Sequence, residues 1–290
     1  LYYLGKNYLE DPGFDTSNTY LIRMGKKDLA LGEQEDRATY LSQLEDRVMH
    51  FPGVENMAIS YLSIPYSPYL NANGYLHNND SVWFMMKLNK VTPGFFDLYR
   101  MKLERGRSFD ANDMITGTSM ILTPDRNGNM GIFGSGPVPA RKIETVKLSN
   151  GVQWNVVGVY AKTKQTFYDP YTSTAYEALK PSDIDFAHMD ISIRVSREHS
   201  DGFVDRFMAT MREPLFIGQY FLITVIPSRE IEKKTIDEFV TDNLNSVFAV
   251  TAFLMLNIFL ALLGTFWSRT QSRLSEMGSR LAMAASQRKV

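Results

Sequence analysis

Residues 247–267 read VFAVTAFLMLNIFLALLGTFW. Seventeen of these 21 side chains are apolar and none is charged. At about 1.5 Å per residue a helix over them would be roughly 31 Å long, close to the hydrocarbon thickness of a bilayer. Its Leu, Ile, Phe and Val side chains contribute on the order of −4 to −7 kcal/mol on an insertion scale, before Asn257 and two threonines are subtracted. The alternative, a buried helix of a soluble core, ordinarily has a shorter apolar run with polar interruptions. The expectation is therefore a membrane span. Its orientation follows from the next segment, where residues 268–290 carry Arg269, Arg273, Arg280, Arg288 and Lys289 against Glu276 alone. Basic flanks stay cytoplasmic, so the long stretch ahead of the span is expected on the opposite side of the membrane.

Composition narrows the class of function. The 290-residue chain has 31 basic and 32 acidic side chains. Five of the basic residues and one acidic residue lie after residue 267, which leaves the remainder mildly acidic. A mildly acidic surface argues against nucleic acid as a partner. Apolar residues at 44% and aromatics at 12% suffice for a packed core. Cysteine is absent, which excludes disulfides, zinc-thiolate sites and cysteine nucleophiles but leaves the compartment open. The chain starts at Leu1 and stops at Val290 within a helical pattern, as a piece of something longer would. Residues 1–10 (LYYLGKNYLE) are too short and polar for a signal peptide. Residues 1–17 are read as the end of a preceding stalk or membrane helix. Leu1, Tyr2 and Tyr3 would then be its interfacial end, or else an ordinary solvent-facing helix start.

Ahead of the span, two segments share one pattern. Residues 18–24 (NTYLIRM) alternate like a strand, Tyr40, Leu41, Leu44, Val48 and Phe51 fall at helical spacing, and residues 56–62 (NMAISYL) alternate again. Residues 189–195 (MDISIRV), the helical face of Phe203, Phe207, Met208 and Met211, and the apolar run 220–226 (YFLITVI) repeat that order. Two β-α-β units, 18–62 and 187–227, are expected to pair as one discontinuous α/β subdomain, since neither covers its helix alone. Residues 63–186, rich in Pro, Gly and Asn, form a mainly β insertion. Its expected strands are 81–87, 119–122, 145–148 and a central 154–160, with a short helix near 94–99. From Ser228, an N-cap followed by Glu230 and Glu232, helical spacing runs without Gly or Pro into the span. Residues 228–246 are thus expected to be a stalk continuous with the membrane helix 247–267, with a cytoplasmic helix over 268–290. The fold class is α+β.

Sites for chemistry are scarce. His50, His77, His188 and His199 are scattered without metal-ligand spacing, and Asp185 and Asp190 beside His188 make a weak case. Gly131, Gly134 and Gly136 lack the order and the Lys of a phosphate loop. No G-x-S-x-G occurs, and the S-x-x-K at Ser286–Lys289 lies in the basic tail. The chain reads as a non-enzyme without a cofactor or metal of its own. Asn257, an amide at the middle of the span, is expected to face other helices of a bundle rather than its own backbone.

Two stretches resemble a known family. Residues 275–286, SEMGSRLAMAAS, are similar to the segment after the second membrane helix of the FtsX/MacB-type ABC transporter permeases. Glu276, Met277, Gly278, Arg280, Ala282, Met283, Ala285 and Ser286 fit its pattern, and Ala284 stands where Gly is usual. Residues 91–109, VTPGFFDLYRMKLERGRSF, resemble the P-x-F-F…G-R-x-F run of the family's outer domain. The resemblance implies a periplasmic porter-like subdomain with a sabre-like insertion, in a bacterial inner-membrane permease that transmits ATP-driven motion. It also implies a cytoplasmic ABC ATPase partner that binds the ATP, a homodimer or paired permease, contact with membrane lipid, and room for a periplasmic adaptor. Glu276, Gly278, Arg280, Ala282 and Ala285 would form the helix that docks on the ATPase. Two alternatives stay open: a single-span sensor with an outer ligand-binding domain, and a cell-division FtsX-type regulator.

Overall fold

The computed structural model describes residues 2–27, 36–66, 75–78, 82–131, 133–134, 138–148, 151–239 and 245–287. The chain divides into two units after Thr235. In the first, helix α1 (Tyr2–Leu9) leads to strand β1 (Thr19–Lys26), helix α2 (Arg37–Met49) and strand β2 (Val54–Tyr61). The insertion begins with β3 (Tyr75–Asn78), β4 (Val82–Met85), β5 (Lys87–Val91), α3 (Phe95–Leu98) and β6 (Leu103–Gly106). It goes on through α4 (Ala111–Thr116), β7 (Ser119–Thr123) and three two-residue strands, β8 (Asn129–Met130), β9 (Phe133–Gly134) and β10 (Val138–Pro139). Then come β11 (Thr145–Leu148), β12 (Gln153–Tyr160) and β13 (Thr174–Ala178). The return is made by β14 (Asp190–Val195), α5 (Phe203–Met211), β15 (Tyr220–Pro227) and helix α6 (Ser228–Phe239), whose last four residues already belong to the second unit.

The periodicities account for the two β-α-β elements. Asp36 caps α2 by accepting the Thr39 amide at 3.1 Å, and the i, i+3, i+7 set Leu41, Leu44 and Val48 is buried. On α5 the buried set is Phe203, Phe207 and Met211, and Phe51 meets the Phe207 ring edge-on at 4.9 Å. Both helices share one core with the sheet, in which each fully buried apolar side chain contributes about 1.5–3 kcal/mol. The strands interleave in the order β15-β1-β14-β2, all antiparallel, so residues 18–62 and 187–227 supply alternate strands of one sheet.

The inserted residues continue that same sheet. Ser60 pairs with Val91 and Tyr61 with Lys90, and β5 then carries the order on through β13, β7, β12, β11, β3, β4 and β9. The β13–β5 and β12–β7 pairings are parallel, which makes the sheet mixed and the fold α+β. Residues 154–160 lie in β12, flanked by β7 and β11 and also paired with β6, an interior position that suits the near-continuous apolar run WNVVGVY. A second core gathers around α3, with Phe95, Phe96, Tyr160 and Tyr176, and a third around Met86, Met120, Leu122 and Trp154. Residues 81–87, expected as one strand, belong to two. Strand β4 pairs with β3 and β9 while β5 pairs with β2 and β13, and Met86 between them turns into the third core.

In the second unit, helix α7 (Asn245–Gln287) is continuous over 43 residues, about 65 Å at the usual rise. It runs from the apolar stretch through Arg269 and Arg273 without interruption, so the span and the basic segment are one helix. Its large apolar side chains, from Val247 to Trp267, are exposed, and by length and composition the helix is apolar enough to cross a membrane. The expected unbroken stalk from Ser228 into the span falls partly on residues 240–244, outside the described residues.

Candidate functional site

Two places in the first unit hold the chain where it enters and leaves. At the entry, α1 is clamped by ionic and aromatic contacts. Arg126 approaches Glu10 with both terminal nitrogens, Nη2 donating to Oε2 at 2.7 Å, and the same nitrogen reaches Asn7 Oδ1 at 3.3 Å. The Lys164 ammonium donates to the Asn7 carbonyl and stands 3.5 Å from Glu10. Asn7 Nδ2 donates to Tyr168 O at 2.9 Å, and the Tyr8 ring stacks on Tyr168 at 5.5 Å. The Arg126 hydrogen bonds outweigh partial burial and hold the Glu10 carboxyl down to about 2.

Because that value is depressed, the clamp contributes stability above the ordinary carboxylate pKa and loses it as pH falls through about 2. In Arg126→Met, a carboxyl NMR titration of Glu10 should move its midpoint up towards 4 or above. A midpoint still near 2 would show that the guanidinium is not its cause.

At the exit, the Thr19 hydroxyl donates to Ser228 Oγ at 2.7 Å in a buried contact that joins the start of β1 to the start of α6. About two turns on, Thr235 Oγ1 donates to the Tyr66 carbonyl at 3.0 Å. The Tyr66 ring packs between Phe14, edge-on at 5.4 Å, and Phe167 at 5.2 Å. None of these joints was read from the sequence, because, Phe14 with Tyr66 apart, their partners lie more than 100 residues from each other.

The sequence-predicted residues of α7 fall as follows. Arg280 Nη2 donates to Glu276 Oε1 at 2.5 Å, with both side chains well exposed. Such an exposed i, i+4 pair is worth only about 0.3–0.5 kcal/mol. A Cβ placed on Gly278 would meet nothing within 4 Å, so that flank of the helix is open. Ala282 and Ala285 lie on the same helix. Asn257 donates from Nδ2 to the Phe253 carbonyl at 2.8 Å within its own helix.

Among the described residues no group of three His, Asp or Glu is placed to hold a metal ion. His188 Nδ1 lies 3.3 Å from Asp185, whereas Asp190 is taken by Arg23 at 2.8 Å. The run at residues 91–109 is structural. Phe95, Phe96, Leu98 and Phe109 are buried, and Arg107 bonds Asp113 at 2.5 and 3.1 Å. Gly106 sits at φ +79°, where a Cβ would come 2.1 Å from the Val157 carbonyl oxygen, so that position admits only glycine.

No protein-family model matches the chain, and no curated protein matches it. Among solved structures, the chain is similar to the periplasmic region of MacB from Actinobacillus actinomycetemcomitans. The identity is 16% and the TM-score 0.46, covering 79% of this chain and 97% of that one. It is also similar to the extracellular domain of the noncanonic ABC-type transporter YknZ from Gram-positive bacteria. There the identity is 16% and the TM-score 0.42, covering 71% of this chain and 100% of that one.

Proposed function

We propose that the chain belongs to a permease subunit of a MacB/FtsX-type ABC transporter and passes motion between a cytoplasmic ATPase and an outer domain. The observation that carries this reading is α7, a single helix on which an exposed apolar stretch of bilayer length continues into the basic segment bearing SEMGSRLAMAAS. A rigid helix moves as a body, so displacement of its basic end would be delivered to the other side of the bilayer. The first unit, which holds the chain at α1 and at the start of α6 by buried or clamped contacts, would receive motion through both. In this reading ATP is bound by the partner ATPase, the subunit pairs with a second copy or another permease in the inner membrane, and the first unit lies in the periplasm. An adaptor would sit on the inserted residues.

Glu276, Gly278, Arg280, Ala282 and Ala285 are assigned to docking on the ATPase. A stripe of small residues lets a partner backbone approach closely, and Glu276 and Arg280 supply a charged rim that adds little to stability. The competing role, an amphipathic helix resting on anionic headgroups, draws on Arg273, Arg280 and Arg288. Ala282→Trp in the full-length protein separates the two. It should leave expression and folding of the first unit intact while uncoupling ATP hydrolysis from transport, a loss of at least about tenfold. Normal activity together with copurification of the ATPase would overturn the docking assignment.

A further inference from the structure

A cavity of about 370 Å³ opens in the first unit where β5 and β13 meet residues 163–172. Its floor follows from strand geometry. The parallel register sets Lys87 beside Thr174 and Asn89 beside Tyr176, and the two-residue period puts all four on one face of the sheet. All four line the cavity. The walls are polar at Thr163, Lys164 and Asp169 and apolar at Ile64, Met85 and Met101.

Two of the floor residues are anomalous for a buried sheet face. Lys87 is 8% exposed, and its ammonium makes no hydrogen bond and no close ion pair with any described residue. Burial pulls its pKa down to about 8, and Asp169 exerts a smaller opposing pull. Asn89 is 3% exposed, and its Oδ1 is buried without a hydrogen-bond partner. Buried polar groups are almost always satisfied, and leaving one without a partner is costly, more so when it is charged. An unpaired donor and an unpaired acceptor, two residues apart on one strand and facing one cavity, call for a ligand that supplies the converse pair.

We propose that this cavity binds a small organic monocarboxylate with an apolar body and a hydrogen-bond donor close to the carboxylate, the chemistry of an N-acylated apolar amino acid. The carboxylate accepts from Lys87, and the adjacent N–H donates to Asn89 Oδ1. One negative charge fits better than two, because Asp169 stands on the same wall and the Lys164 ammonium is already held by Asn7 and Glu10. Met85 and Met101 offer an adaptable surface to the apolar body. The site lies wholly within the first unit and makes no use of α7, so its failure would leave the permease reading where it stood.

The test uses the full chain in lipid nanodiscs and three probes followed by calorimetry. N-acetyl-L-phenylalanine is expected to bind saturably. N-acetyl-L-phenylalaninamide, which lacks the charge, and 3-phenylpropionate, which lacks the donor, should each bind at least about tenfold more weakly. Lys87→Met should remove the preference for acid over amide, and Asn89→Leu the preference for the N–H. Thermal unfolding of both variants checks that they fold, and Lys87→Met should melt at or above the parent temperature, having lost an unpaired buried charge. The comparison of the three probes on the unaltered chain stands whether or not the variants fold. Equal affinity for acid and amide, no saturable binding up to about 10 mM, or an acid preference that survives Lys87→Met would overturn the proposal.

Discussion

Arg194→Met should destabilise the first unit by about 3–5 kcal/mol, the range for removing one member of a buried charged network. Arg194 lies on β14, is 4% exposed, and spends its guanidinium on three carbonyls from two other segments. Nε donates to Leu98 O at 2.6 Å, Nη1 to Ser17 O at 2.7 Å and Nη2 to Asp15 O at 2.6 Å, with the Asp15 carboxylate 3.5 Å away. Removing the fork leaves all three acceptors to find water in a site packed against Tyr99, whose hydroxyl is itself bonded to Ser192 at 2.9 Å. For a unit of this size the loss corresponds to a fall in Tm of roughly 6–20 °C. Arg194→Lys should recover only part of it, because an ammonium cannot address three carbonyls in one plane. Scanning fluorimetry of the chain in detergent reads both variants. A shift under about 2 °C for Arg194→Met would mean that these bonds hold the loop in place without adding to stability.

Asp113→Asn is expected to weaken the same unit by about 2–3 kcal/mol at neutral pH, with the difference shrinking in acid. Asp113 is 1% exposed at the start of α4, where it closes a capping box by accepting the Asp110 amide at 2.8 Å while Asp110 accepts its own amide in return. Burial alone would raise its pKa. The hydrogen bonds from Arg107 and Ser119 outweigh that and bring it down to about 2. A carboxylate whose folded pKa is depressed contributes its stability above the ordinary value of 3.8 and loses it as pH falls through about 2. Parent and variant should therefore converge between pH 4 and 2, as read by Tm across that window. A difference that persists undiminished at pH 2 would show that the amide fails for a steric reason and not for want of charge.

The elements that were legible in the sequence are those whose period is long and clean. Leu41, Leu44 and Val48 declare α2, Phe203 and Phe207 declare α5, and the alternation in NTYLIRM and MDISIRV declares β1 and β14. Continuity of the sheet was not legible, because β2 and β5 are joined by two residue pairs and such register leaves no mark on composition. Strand β13 and helix α4 were also passed over, one within a Pro-rich stretch and the other only six residues long. The spacing of Asp110 and Asp113 was the available sign of a helix start.

The candidate sites divide in the same way. Residues 275–286 could be recognised because their pattern is local. The clamp on α1 could not, because Glu10, Arg126 and Lys164 are brought together only by the fold. Asn257 stood out for a local reason too, as the amide in the middle of an uncharged apolar run, and within this chain its Nδ2 bonds the Phe253 carbonyl. Lys87 and Asn89 were not singled out in the sequence, since what sets them apart is their register beside Thr174 and Tyr176 of β13 on the face that lines the cavity.

Strands β1 and β15 are antiparallel neighbours, with Tyr20 opposite Pro227 and Lys26 opposite Tyr220, and the Thr19–Ser228 hydroxyl contact closes the end at which both meet their flanking segments. That placement gives the unit a strong and a weak direction under load. If α1 and α6 advance or retreat together, the two strands travel as a single rod and no hydrogen bond between them is strained. If they are drawn apart sideways, the ladder is peeled from one end, and the rungs nearest Tyr20 and Pro227 carry the force singly and in succession. The small lock between Thr19 and Ser228 is the first rung in that sequence. Such a joint is stiff along its strands and yields first when its two ends are pulled apart.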